Sequence, residues 1–111
     1  MDDRGNYIFM YNLNINKQKQ NRHICDSPDY IEGRSILTAD PETLVDLYAG
    51  KGTTIIIDGA WNNKERFTHT DIIGVWKSFD GNITLPTNRG ILHYSYKKGV
   101  HIVPANPQFS T

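Results

Sequence analysis

Polar and apolar positions change rhythm near residue 52 of this chain. Before it, residues 17–23 (KQKQNRH) are polar throughout and rich in good helix formers, yet carry no apolar stripe. They read as either a short exposed helix or a loop. Ser27-Pro28-Asp29-Tyr30 has turn chemistry. Asp40 is placed to cap a helix, Pro41 suits its first position and Glu42 its first turn. Leu44, Val45, Leu47 and Tyr48 then supply an apolar face and Gly50 a stop, so the pattern predicts a helix over 41–49.

After Gly52 the texture is that of strands. Residues 53–57 are β-branched and apolar, which predicts a buried strand closed by an Asp58-Gly59 turn. Strands are predicted over 66–69 and 71–76, with Gly74 marking a bulge. Asp80-Gly81-Asn82 looks like a hairpin turn into a strand that starts at 83–85. Residues 91–96 alternate well. Lys98-Gly99 turns the chain into a last strand over 100–103, and Pro104 ends it. Helices first and antiparallel strands afterwards predict an α+β domain, with N-terminal helices packed on a twisted antiparallel sheet of about four strands. The expected organisation is an apolar N-terminal arm or leader over 1–14, one domain over 15–107 and a short tail over 108–111.

Composition narrows the function classes. The chain has 111 residues, enough for one modest core. Its 12 basic and 12 acidic side chains cancel, so bulk charge gives no support for nonspecific nucleic-acid binding. Charge is nonetheless clustered: Lys17, Lys19 and Arg22 lie together just before His23. The single cysteine, Cys25, forms no internal disulfide and is expected to be a small buried hydrophobe. No apolar run is long enough to span a bilayer, and no signal-peptide pattern is present, which predicts a cytoplasmic location.

The chemistry-bearing residues are the histidines. Imidazole exchanges protons near neutral pH without assistance. His23 follows the basic, amide-rich stretch that includes Lys17, Gln18 and Lys19, side chains able to hold phosphate oxygens and base edges. His101 lies on a short strand, and period two puts it on the face opposite Val100 and Ile102. His93, on the neighbouring strand, is placed to orient another group. His69 is the weakest candidate. Glu65 is able to replace one histidine as general base. Ser95 and Thr87 offer hydroxyls to a phosphate, Ser35 does the same, and Arg34 offers a planar fork. Each of these residues has an ordinary alternative: a solvated run, a backbone-satisfying hydroxyl or a surface histidine. Trp61 and Trp76 suit base stacking, although in so small a chain tryptophan is more often core. No metal-ligand spacing, glycine-rich phosphate loop or nucleophile elbow is present.

INKQKQNRHI, then GRS, then NKE, then ILHYS followed by GVHIVPA, together resemble the polymorphic-toxin type 50 family. The resemblance covers residues 15–107. It implies a ribonuclease toxin with a barnase, EndoU, colicin and RelE type of fold, in which a curved four-stranded antiparallel sheet carries the active site on its concave face. The family occurs at the C-terminal ends of bacterial toxins and in phage or prophage proteins. Carried over by motif, its candidates are Lys17, Gln18, His23, Ser35, Glu65, Tyr94, Ser95 and His101, with Thr87 just before the HYS strand. The short leader after Met1 departs from a toxin tip and suggests a free-standing phage or prophage protein.

These observations lead to an expected function: metal-independent RNA cleavage. His23 and His101 serve as acid and base, aided by Lys17, Ser95 and Glu65. Substrate is held by Gln18, Lys19, Arg34, Ser35, Thr87, Tyr94 and His93. No cofactor is expected. The expected partners are RNA, with tRNA one candidate, and an immunity or inhibitor protein, but no membrane. The alternative is a non-catalytic nucleic-acid- or protein-binding module of a phage or prophage protein.

Overall fold

The computed structural model describes residues 12–108. The aromatic run proposed as an N-terminal arm falls mostly outside that range, as does most of the tail. The described chain folds into two antiparallel sheets and two short helices. In order, the elements are α1 (Lys17–Asn21), β1 (Ile36–Leu37), α2 (Pro41–Tyr48), β2 (Thr53–Ile57), β3 (Ala60–Thr68), β4 (Gly74–Lys77), β5 (Thr84–Thr87), β6 (Arg89–Ser95) and β7 (Gly99–Pro104).

The larger sheet has the order β2-β3-β6-β7, and it matches the expected four antiparallel strands. The second sheet, ordered β1-β4-β5, was not anticipated. Helices first and strands later therefore describes the order only in part, because β1 precedes α2 and the structure is mostly sheet.

Local chemistry explains where the elements stop. Asp40 caps α2 by accepting from the Thr43 amide at 3.2 Å, with Pro41 at the first helical position. Asn16 caps α1, its side chain accepting from the Lys19 amide at 3.2 Å. The β2–β3 turn is built on Asp58 (φ 52°) and Gly59 (φ 79°), the pair of positive φ values that a tight primed hairpin requires. Gly74 does not mark a bulge. A Cβ there would come within 2.1 Å of the Ile36 carbonyl oxygen, so glycine is what lets β4 pair closely with β1.

The core lies on one face of the larger sheet. Phe67, Leu92, Tyr94, Val100 and Ile102 from that sheet cluster with Leu37, Leu44, Val45 and Ile73. Tyr48 of α2 stacks on Phe67 with ring centroids 4.7 Å apart. Burying each large apolar side chain contributes on the order of 2 kcal/mol. Two burial expectations fail. Strand β2 is a hairpin arm with Ile56 and Ile57 about half exposed rather than a buried strand, and Cys25 is exposed.

Candidate active site

Period two along β6 and β7 decides which side chains meet. Leu92, Tyr94, Val100 and Ile102 enter the core, so His93 and His101 must emerge on the opposite face. The ladder register pairs His93 with His101 on one side and with Lys64 of β3 on the other. Lys64, His93 and His101 therefore lie three abreast on adjacent strands. The His93 and His101 ring centroids are 4.7 Å apart.

His23 arrives from the other end of the chain. Residues 14–20 cover the free edge of β7. The Asn16 amide donates to the Val100 carbonyl at 2.8 Å, and the Val100 amide donates to the Asn14 carbonyl at 2.8 Å. The Gln20 side chain completes this cover like a strand residue. It donates to the Ile102 carbonyl at 3.0 Å and accepts from the Ile102 amide at 2.7 Å. Three residues later His23, only 5% exposed, lies with its ring nearly parallel to that of His101, centroids 6.3 Å apart and planes at 16°. Its Nδ1 donates to the Ser35 carbonyl at 2.9 Å. A carbonyl only accepts, so this bond fixes the neutral tautomer with the proton on Nδ1 and the lone pair on Nε2.

Burial and cationic neighbours hold these rings neutral. Desolvation is the main cause at His93, whose pKa is pushed down to about 3, with the His101 and Lys64 charges adding to it. Desolvation likewise takes His101 down to about 4, followed by His23, Lys19, Arg22 and Lys64. At His23 desolvation lowers the pKa, the Ser35 bond opposes it, and Arg34 and Arg22 lower it further. The three imidazoles thus sit in a positive field that favours an anion.

The other sequence-derived candidates divide sharply. Lys19 and Arg34 are close enough for their charges to act on the histidines. Ser35 takes part through its carbonyl, while its hydroxyl accepts from the Lys77 amide at 3.0 Å. Ser95 shares a face with His93, but its hydroxyl accepts from the Lys98 amide at 3.2 Å in the β6–β7 turn. Gln18 is exposed on α1. Lys17 lines a separate hollow together with Glu42 and Asp46.

Glu65, Tyr94 and Thr87 are not brought to the histidines. Glu65 is fully buried on the core face, where its carboxylate accepts from the Gly50 amide at 2.9 Å, the Gly52 amide at 2.8 Å and the Tyr94 hydroxyl at 2.6 Å. Strand pleating puts Glu65 and Lys64 on opposite faces, so the NKE motif contributes its lysine to the histidine face. Thr87 is fully buried and donates to the Ala105 carbonyl at 2.7 Å. His69 is also apart from the cluster, its Nδ1 bonded to the Tyr48 hydroxyl at 2.7 Å. Lys64 is the residue that sequence reasoning missed; alternation of Lys64 and Arg66 against Glu65 and Phe67 was the available signal. Among the described residues, no group of three or more histidine, cysteine or acidic side chains is arranged to hold a metal ion.

A family model described as bacterial toxin 50 matches residues 15–104. The chain belongs to the bacterial toxin 50 family. The match runs from the segment that covers β7 to the end of β7 itself, and so includes His23, Lys64, His93 and His101. No curated protein matches the chain. Among the described residues, no helix is long and apolar enough to cross a membrane.

Proposed function

We propose that this toxin-family domain is an endoribonuclease that cleaves RNA by internal attack of the 2′-hydroxyl. The observation that carries it is the convergence of His23 and His101, from opposite ends of the chain, with His23 locked in one tautomer by the Ser35 carbonyl.

His23 Nε2, the nitrogen with the lone pair, removes the 2′-hydroxyl proton. The O2′–P bond forms as the P–O5′ bond breaks. His101, protonated once the phosphodiester has entered, gives its proton to the departing O5′. The products are a 2′,3′-cyclic phosphate and a 5′-hydroxyl. A bound phosphate supplies the negative charge that these desolvated imidazoles lack, and so raises their affinity for a proton. Lys64, in register with His93, stabilises charge on the phosphorane in place of Lys17, and Lys19 and Arg22 add to the attraction. Toxin-family membership supports two further expectations, RNA as the target and a protein partner that neutralises the activity.

The test is incubation of purified protein with total RNA, with and without EDTA, followed by end-group analysis. Cleavage that persists in EDTA and leaves cyclic phosphate ends is the expected result, with DNA and 2′-O-methyl RNA left intact. Binding of RNA without cleavage would replace the proposal with a non-catalytic binding module. Strict dependence on added metal would reject the acid–base scheme.

A further inference from the structure

From His93, β6 leads into a cleft of about 680 Å³, within the size range of small-ligand sites. Its floor includes Ile91 and Val103, neighbours in the β6–β7 ladder. Arg66 of β3 pairs with Ile91 in the register, and Arg89 lies at the start of β6, so both guanidiniums belong to elements that border this floor. Lys51 adds a third basic residue to the lining. Tyr48 and Trp76 supply aromatic rings to its walls. Basic side chains thus lie beside an apolar floor and aromatic faces in one cleft.

We propose that this cleft is a subsite for the nucleotide unit next to the scissile phosphate, with Arg66 and Arg89 holding its phosphate and Trp76 or Tyr48 stacking on its base. The proposal rests on the ribonuclease function above. The chemistry is that of a nucleoside monophosphate: arginine presents two parallel N–H donors to phosphate oxygens, and an aromatic ring accepts any base on its face. Because His93 lines the cleft at its reaction-centre end, a nucleotide seated there is continuous with the phosphodiester at the histidines. The distance along β6 from His93 to Arg89 is about 13 Å, enough for an adjoining nucleotide but not for a long oligomer.

The experiment is NMR titration of the full chain with 3′-AMP, 3′-UMP, adenosine and inorganic phosphate, followed by steady-state cleavage of a short oligonucleotide. The mononucleotides are expected to shift the Trp76 indole and Ile91 methyl signals and to bind more tightly than phosphate or nucleoside alone. Arg66→Gln with Arg89→Gln is expected to weaken mononucleotide binding at least tenfold and to raise KM more than it lowers kcat. His101→Ala is expected to abolish cleavage while keeping mononucleotide affinity within about threefold. Shifts confined to the histidines, or none, would overturn the subsite, and that result is obtained on the unmodified protein whether or not the arginine variants fold. If wild-type protein binds mononucleotides in the cleft but cleaves no RNA, the subsite stands as a nucleotide site and the ribonuclease proposal alone fails. If it cleaves RNA with no response in the cleft, the subsite alone fails.

Discussion

His93 and His101 face one another across the β6–β7 ladder with ring centroids 4.7 Å apart. Two imidazoles so close, both partly buried and with Lys64 next to His93, do not readily hold two protons. Burial and nearby positive charge disfavour the imidazolium form of both rings, and a negative charge placed beside them is expected to favour it. Four expected outcomes follow from this geometry and its surroundings.

Replacing His101 or His23 by alanine is expected to reduce RNA cleavage roughly 100- to 10,000-fold each, the range typical of one general acid or base. Far-UV circular dichroism should show an unchanged fold. A His101→Ala protein that keeps most of its rate would remove His101 from the reaction.

The pH profile of kcat/KM reports the free protein. The base must be neutral and the acid protonated. His23 is below its usual 6.5 and His101 is down to about 4, so the optimum is expected below pH 6.5. The kcat profile, which reports the loaded site, should be displaced to higher pH because bound phosphate favours the imidazolium. Rate measurements from pH 4 to 8 on a short oligonucleotide check both limbs. An optimum above pH 7.5 in kcat/KM would contradict the assignment.

Stability should fall with acid earlier than carboxylate titration explains. Unfolded histidines take up protons near pH 6.5, whereas folded His93 and His101 resist until about 3 and 4. Above pH 6.5 both states are neutral and the effect is absent. Between 6.5 and about 4 the unfolded chain binds more protons, so stability declines. Thermal melts at pH 7.5 and 5 should show this loss, and a His93→Gln, His101→Gln double variant should flatten it.

Glu65 is expected to matter for folding rather than for chemistry. Removing its carboxylate leaves the Gly50 and Gly52 amides and the Tyr94 hydroxyl without their acceptor. Glu65→Ala should cost about 3 kcal/mol or more, and Tyr94→Phe about 1.5–3 kcal/mol for one bond to a charged group. Urea denaturation measures both. Loss of cleavage in Glu65→Ala should track the unfolded fraction; a folded but inactive variant would return Glu65 to the reaction.

The legible parts of the sequence were those governed by short-range rules. Asp40, Pro41 and Glu42 announce α2, and alternation in the HYS strand correctly puts His93 on one face with Ser95. His101 opposite Val100 and Ile102 was read in the same way. Other parts depended on distant partners. Strand β1 is only Ile36–Leu37 and exists because β4 pairs with it, with Gly74 permitting the close approach. Asn63-Lys64-Glu65-Arg66 looked like a solvated run because Glu65 is a charged residue at a core position, stabilised by amides from a loop that local sequence does not reveal. Reading the segment as a solvated run left its alternation unread, and so hid that Lys64 shares a face with His93. Lys17 and Lys19 are near neighbours in sequence, yet Lys19 is among the charges that act on His93 and His101 while Lys17 lines a separate hollow with Glu42 and Asp46.

The clasp between Gln20 and Ile102 joins positions 82 residues apart. His23 leaves the ribosome early and His101 late, so a nascent chain halted anywhere before β7 holds half of the imidazole pair and nothing to stack it on. Synthesis alone thereby delays the meeting of the two rings until nearly the whole domain has been translated.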